Sequence, residues 1–186
     1  DPKYFGTGLF IFNDSKAAGD ATSIFKELGA NAIEFLDDKS LKTARHYRNI
    51  PYDINCIDPN DAGILVEYQN DDEGEILSLL KKTKEFIKKN GSIKSTLMVT
   101  DDIKREAIWK IRKGLYPTIG ALRKSGESVI TEDIAVDYTN ISSAVNELKN
   151  IFIKRNFDDS VIFGHAKDGN LHFVTSVDFN SQKGIN

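Results

Sequence analysis

Short β-prone runs alternate along this chain with stretches whose apolar residues recur every three to four positions. That alternation restricts the fold more than any other feature. Residues 8–12, 31–36, 63–69, 93–100, 128–136, 160–166 and 171–177 read as strands. Helices are expected after Asn13-Asp14-Ser15, Asp37-Asp38, Asp71-Asp72-Glu73, Asp101-Asp102 and Asn140, each a capping candidate. Gly29 supplies one stop signal, and Pro117 should kink or end the fourth helix. Residues 48–62 carry only loop signals, and a loop of that length usually has a purpose or hides an element. No Gly-rich phosphate loop follows any strand, which argues against a nucleotide-binding parallel sheet. The expected class is α+β and ferredoxin-like, a mainly antiparallel sheet with helices packed on one face. No linker rich in Gly, Ser or Pro interrupts the pattern, so residues 1–186 are read as a single domain.

Composition removes other classes. The 186 residues hold 25 basic and 28 acidic side chains, a net charge of −3, which disfavours a nucleic-acid partner. No window approaches ~18 consecutive apolar residues, so no membrane span is expected. A single cysteine, Cys56, excludes an internal disulfide framework and suits a reducing compartment. The chain opens on Asp1 and closes on a polar stretch from Phe179 to Asn186, which we read as the ends of a piece of a longer polypeptide.

Three groups of residues could carry chemistry. The sharpest is Phe163-Gly164-His165-Ala166-Lys167-Asp168-Gly169-Asn170-Leu171-His172-Phe173. Asp-Gly between β-prone runs signals a two-residue hairpin turn with positive φ at both positions. Such a turn makes His165 and His172 direct cross-strand partners, with Cβ atoms roughly 4.5–5.5 Å apart. Two imidazoles there can share a divalent metal, or can simply face solvent. The second group is the long-helix segment with Trp109 and Arg112. Arg112 borders the apolar stripe of Ile111 and Leu115, where it can clamp a carboxylate or snorkel along a core helix. The third is Thr131-Glu132-Asp133 inside an apolar run, where alternation turns one acid inward or toward a cation. Glu132, Asp133 and Asn170 are the candidates to support the other groups.

Ala107-Ile108-Trp109-Lys110-Ile111-Arg112, then SVITEDIAV, then GHAKDGNLHF together resemble the C-terminal domain of FAD-linked oxidases. That family includes D-lactate dehydrogenase, the glycolate oxidase flavin subunit and D-2-hydroxyglutarate dehydrogenase. Its pattern Gly-His-x-Gly-Asp-Gly-Asn-Leu-His is matched by Gly164, His165, Asp168, Gly169, Asn170, Leu171 and His172. ELGANAIEFLDDKSL and GILVEYQ are also similar, so the likeness covers most of the chain. Lys167 departs from the family glycine, and Asp137 stands where many members have Pro. Thr131 stands where hydroxyglutarate-oxidising members carry a substrate-binding Lys, so that substrate is not carried over.

The resemblance implies a substrate-binding cap domain of a 2-hydroxy-acid dehydrogenase or oxidase. FAD would sit on a separate N-terminal domain. A divalent metal, Zn or Mn in type, would sit on His165, His172 and a third ligand from a later motif, and Arg112 would clamp the substrate. Large members fuse iron–sulfur modules to the flavin module, so an electron-acceptor module is a further expected partner. The implied location is cytoplasmic, with any membrane association peripheral and through the acceptor. The competing reading is a non-catalytic ligand-binding or regulatory domain of ferredoxin-like type.

Overall fold

In the computed structural model, which describes residues 2–180, every β-prone run becomes a strand. Asp1 and the polar end at 181–186 lie outside the described residues. The order begins β1 (Tyr4–Phe12), α1 (Ser15–Glu27), β2 (Ala32–Asp37), α2 (Asp38–Thr43), β3 (Ala62–Asn70), α3 (Glu73–Lys89) and β4 (Ile93–Val99). It continues with α4 (Asp102–Leu122), β5 (Ser128–Ala135), α5 (Ile141–Arg155), β6 (Val161–His165) and β7 (Asn170–Val177). Asp14, Asp37, Asp72 and Asp101 cap α1 to α4, each accepting a backbone N–H of the first turn. Asn140 does not cap α5 as expected. Asp137 instead accepts from Thr139 N and starts a 3-10 turn, Tyr138–Asn140, that runs into the helix.

The strands form one seven-stranded sheet in the order β4-β1-β3-β2-β6-β7-β5, with every neighbouring pair antiparallel. The first four, with α1 and α3, form the split β-α-β arrangement of a ferredoxin-like unit. β1 and β3 are buried almost throughout because both sheet faces are covered around them.

That double cover corrects the expectation of helices on one face only. Phe10, Phe12, Phe35, Ile64 and Val66 pack against Ala18 and Phe25 of α1, Ile76 and Leu80 of α3, and Val145 and Leu148 of α5. The alternate residues Leu9, Ile11, Leu36, Leu65 and Phe163 point the other way. They pack against Leu41 of α2 and Ile108, Ile111 and Leu115 of α4. The physical reason is the period of two: apolar residues at consecutive strand positions need a cover on each side.

α4 also continues past Pro117 to Leu122. Its next turn is pinned from outside by a 2.7 Å hydrogen bond between Tyr47 Oη and Thr118 Oγ1, which helps offset the interrupted helix ladder. The long loop covers the flank of this second layer. Ile57 is buried in it, Tyr52 Oη donates to Leu41 O at 2.6 Å, and Lys94 ties down Asp58 and Asp61.

One clip matters for the site. Asp37 Oδ2 accepts Ile162 N at 2.9 Å, and Ser40 Oγ donates to Ile162 O at 3.1 Å. β6 is thereby fixed in register against β2, with Leu36 opposite Phe163 and Glu34 opposite His165.

Candidate active site

Beneath α4 the apolar floor of the sheet stops along one line, and a polar residue follows on each strand. Thr7 stands two positions from Leu9 on β1, Glu67 from Leu65 on β3, and Glu34 from Leu36 on β2. His165 stands two from Phe163 on β6, and His172 two from Val174 on β7. All five therefore share the α4 face. Asp133 extends the row, opposite His172 on β5. From above, α4 contributes Arg105, Trp109 and Arg112 at i, i+4 and i+7, one helical stripe.

Two buried glutamates divide this row. Glu67 accepts from Arg105 Nε (2.7 Å) and Nη2 (3.1 Å), Trp109 Nε1 (2.5 Å), Gln69 Nε2 (2.9 Å) and Thr7 Oγ1 (3.1 Å). Burial alone pushes its carboxyl up, but the Arg105, Gln69 and Trp109 hydrogen bonds together hold it below the usual range. Its capacity is filled from within the protein. Glu34, 4% exposed, is shared differently: Oε2 accepts Arg112 Nε at 2.7 Å and Oε1 meets His165 Nδ1 at 2.7 Å. The Arg112 guanidinium lies over the Phe163 ring at 4.7 Å.

The histidines sit on one face, but not as the direct partners expected. His165 pairs with Asn170, and His172 pairs with Phe163. Four residues, 166–169, close the hairpin, beginning with a 3-10 turn, Ala166–Asp168. Only Gly169 in this loop takes a positive φ, 73°, whereas a two-residue Asp-Gly turn needs two. A Cβ on Gly169 would stand 1.8 Å from Val136 O, so the loop is packed onto the chain leaving β5. Lys167, the family departure, is accommodated, with Nζ donating to Asn31 O at 3.0 Å. The two rings meet diagonally and edge to face, centroids 5.2 Å apart. His172 Nδ1 is hydrogen-bonded to Asp133 Oδ1. Both Nδ1 atoms are thus engaged by carboxylates, which leaves each Nε2 for a ligand.

The structure brings Arg112, His165, His172 and Asp133 into one row, with Asn170 beside His165 in the ladder. Glu132 does not join them. It points to the opposite face, across from Phe173, and Thr131, Glu132 and Asp133 are all exposed because β5 is an edge strand. Neither acid turns inward, and Asp133 meets the His172 imidazole instead. The acids missed in the sequence are Glu34 and Glu67. Each is a Glu interrupting an apolar stretch, residues 32–36 or 64–68, which was the signal for them. An open cleft of about 710 Å³ between α4 and the sheet is lined by Glu67, Arg105, Trp109, Lys110 and Lys113. It reaches Ala32 but not the histidines, which stand on the sheet surface beyond. Among the described residues, no group of three His, Cys, Asp or Glu side chains could hold a metal. No described helix is long and apolar enough to cross a membrane.

Comparison with known proteins bears on the family and the fold. The profile of the family described as FAD linked oxidases, C-terminal domain, matches residues 1–186. The glycolate oxidase subunit GlcD of Bacillus subtilis (strain 168) is 26% identical over 184 residues, covering 97% of this chain and 37% of that protein. A putative mitochondrial D-lactate dehydrogenase of Schizosaccharomyces pombe is 26% identical over 187 residues, covering 94% of this chain and 34% of that one. The chain thus spans little more than a third of these relatives. The fold is also that of alkyldihydroxyacetonephosphate synthase, with TM-score 0.67, 16% identity and coverage of 94% and 36%. For p-cresol methylhydroxylase the TM-score is 0.58, with 13% identity and coverage of 97% and 40%.

Proposed function

The chain belongs to the family of FAD-linked oxidases, as their C-terminal domain, and from that premise we propose that it is the substrate-binding cap of a flavin-dependent 2-hydroxy-acid dehydrogenase or oxidase. The observation that carries the reading is the carboxylate of Glu34, which holds a guanidinium and an imidazole on one sheet face. Arg112 spends its Nε on Glu34, and its terminal nitrogens take the carboxylate of the acid as a fork. The hydroxyl, one carbon away, then falls toward the histidine pair. His165 and His172, with each Nδ1 engaged and each Nε2 left for a ligand, fit a divalent ion of Zn or Mn type as two of its ligands. The remaining ligands are the substrate oxygens and a group outside the described residues.

A divalent ion held there would supply Lewis-acid chemistry at the hydroxyl, and FAD on a separate domain would supply the hydride acceptor. The Phe163 ring lies under the Arg112 guanidinium and supports it from the sheet side. With Cys56 as its lone cysteine, this chain offers no thiolate set for an iron–sulfur cluster.

The test is titration of the chain with glycolate and D-lactate in the presence of Zn²⁺, followed by NMR. Shifts centred on Arg112, His165 and His172 are expected, and Arg112→Lys should weaken binding although it keeps the charge. Shifts confined to another surface would replace this reading with the ligand-binding alternative.

A further inference from the structure

We propose that Glu34 is a positioning residue: one buried carboxylate that sets the tautomer of His165 while it orients Arg112. What the two groups bind rests on the reading above. The tautomer claim stands without it.

An ionised carboxylate only accepts hydrogen bonds, and a guanidinium only donates them. Glu34 meets Arg112 Nε through Oε2 and His165 Nδ1 through Oε1, both at 2.7 Å. The proton on His165 is therefore at Nδ1, and the lone pair at Nε2. A free histidine side chain favours the opposite arrangement, so the protein imposes this one.

The geometry that imposes it is built in. The Asp37 and Ser40 clip on Ile162 holds β6 in register with β2. Gly164 lets the hairpin partner pass so closely that a Cβ there would stand 2.4 Å from Asn170 O. Glu67 shows by contrast what a filled acid looks like on this face, because five hydrogen bonds from the protein occupy it. Glu34 is as buried as Glu67, yet it serves only two side chains, Arg112 and the half-exposed His165. Asp133 does the corresponding work for His172, but its side chain is 62% exposed, so water competes there.

A Gln in place of Glu34 keeps the shape and halves the acceptors. Arg112 cannot turn into an acceptor, so it claims the amide oxygen. The amide NH₂ is then left to donate to His165 Nδ1, and the imidazole must switch to the Nε2–H tautomer. That tautomer has no Nε2 lone pair for a cation.

The test is ¹⁵N NMR of the histidine rings above their titration range, with Zn²⁺ affinity measured in parallel. Wild type should show His165 as Nδ1–H. Glu34→Gln should show it as Nε2–H and bind Zn²⁺ roughly tenfold more weakly. Asp133→Asn should leave the His165 tautomer alone. His165 as Nε2–H in wild type would overturn the proposal, even if the variant failed to fold. An unchanged tautomer in folded Glu34→Gln would overturn it too, as would equal Zn²⁺ affinity. If neither glycolate nor D-lactate bound while the tautomer switched, the substrate reading would fail and this role of Glu34 would stand.

Discussion

His165 and His172 meet edge to face with ring centroids 5.2 Å apart, although neither is the other's partner in the β6–β7 ladder. The contact depends on the four-residue loop, because a slip of one residue would send one ring to the opposite face. Gly169 holds that loop, so Gly169→Ala should disturb it twice, through a positive φ and through the clash with Val136 O. We expect a loss of about 2 kcal/mol or more in urea unfolding, with His165 ring resonances displaced. Wild-type stability and ring shifts in the variant would show that the loop does not set the pair.

Glu67 is expected to behave as a structural acid. Glu67→Gln leaves Arg105 without its carboxylate and removes acceptors from Trp109 and Thr7. The expected cost is about 3 kcal/mol, because an arginine in a partly buried site loses its partner. The wild-type carboxyl is held below the usual range. Its contribution is therefore present above the ordinary carboxylate pKa and lost as pH falls through the lowered value. The gap in unfolding free energy between wild type and variant should narrow as pH falls through the lowered value. A constant gap would contradict this.

Asp37 has the opposite sign. Burial pushes its carboxyl up to about 6, against the pull of the Ser40 and Ile162 hydrogen bonds. A raised folded value gives stability that is complete below the ordinary carboxylate pKa and lost as pH rises through about 6. This one group should cost the protein up to about 3 kcal/mol between pH 4 and pH 7. Asp37→Asn should remove that slope. It should also lower stability at pH 4 by about 1–3 kcal/mol, since its NH₂ must face the N–H of Ser40 or Ile162. Parallel pH curves for the two proteins would count against it.

Much of this was legible in the sequence. The strand periodicity, the aspartate caps and the GHAKDGNLHF segment carried the antiparallel sheet, four helix starts and the histidine pair. The two-sided helix cover was not legible, because the unbroken apolar stretches of β1 (residues 9–12) and β3 (residues 64–66) do not say which helix covers which face. The hairpin register escaped because Asp-Gly also occurs in longer loops, and here the packing of Gly169 on Val136 decided the length. Glu132 and Asp133 could not be separated without knowing that β5 is an edge strand. Glu34 needed the β2–β6 pairing, a contact between residues 131 apart in sequence.

The central claim is that Arg112 and the histidine pair hold a 2-hydroxy acid against a flavin. Its most direct test uses the flavoprotein that carries this domain, mixed with glycolate or D-lactate without oxygen, while the flavin's visible absorbance is followed. Wild type should bleach. His165→Ala should not bleach, yet it should keep the same FAD content. Arg112→Lys should bleach only at much higher acid concentration. Equal bleaching by wild type and His165→Ala would contradict the account.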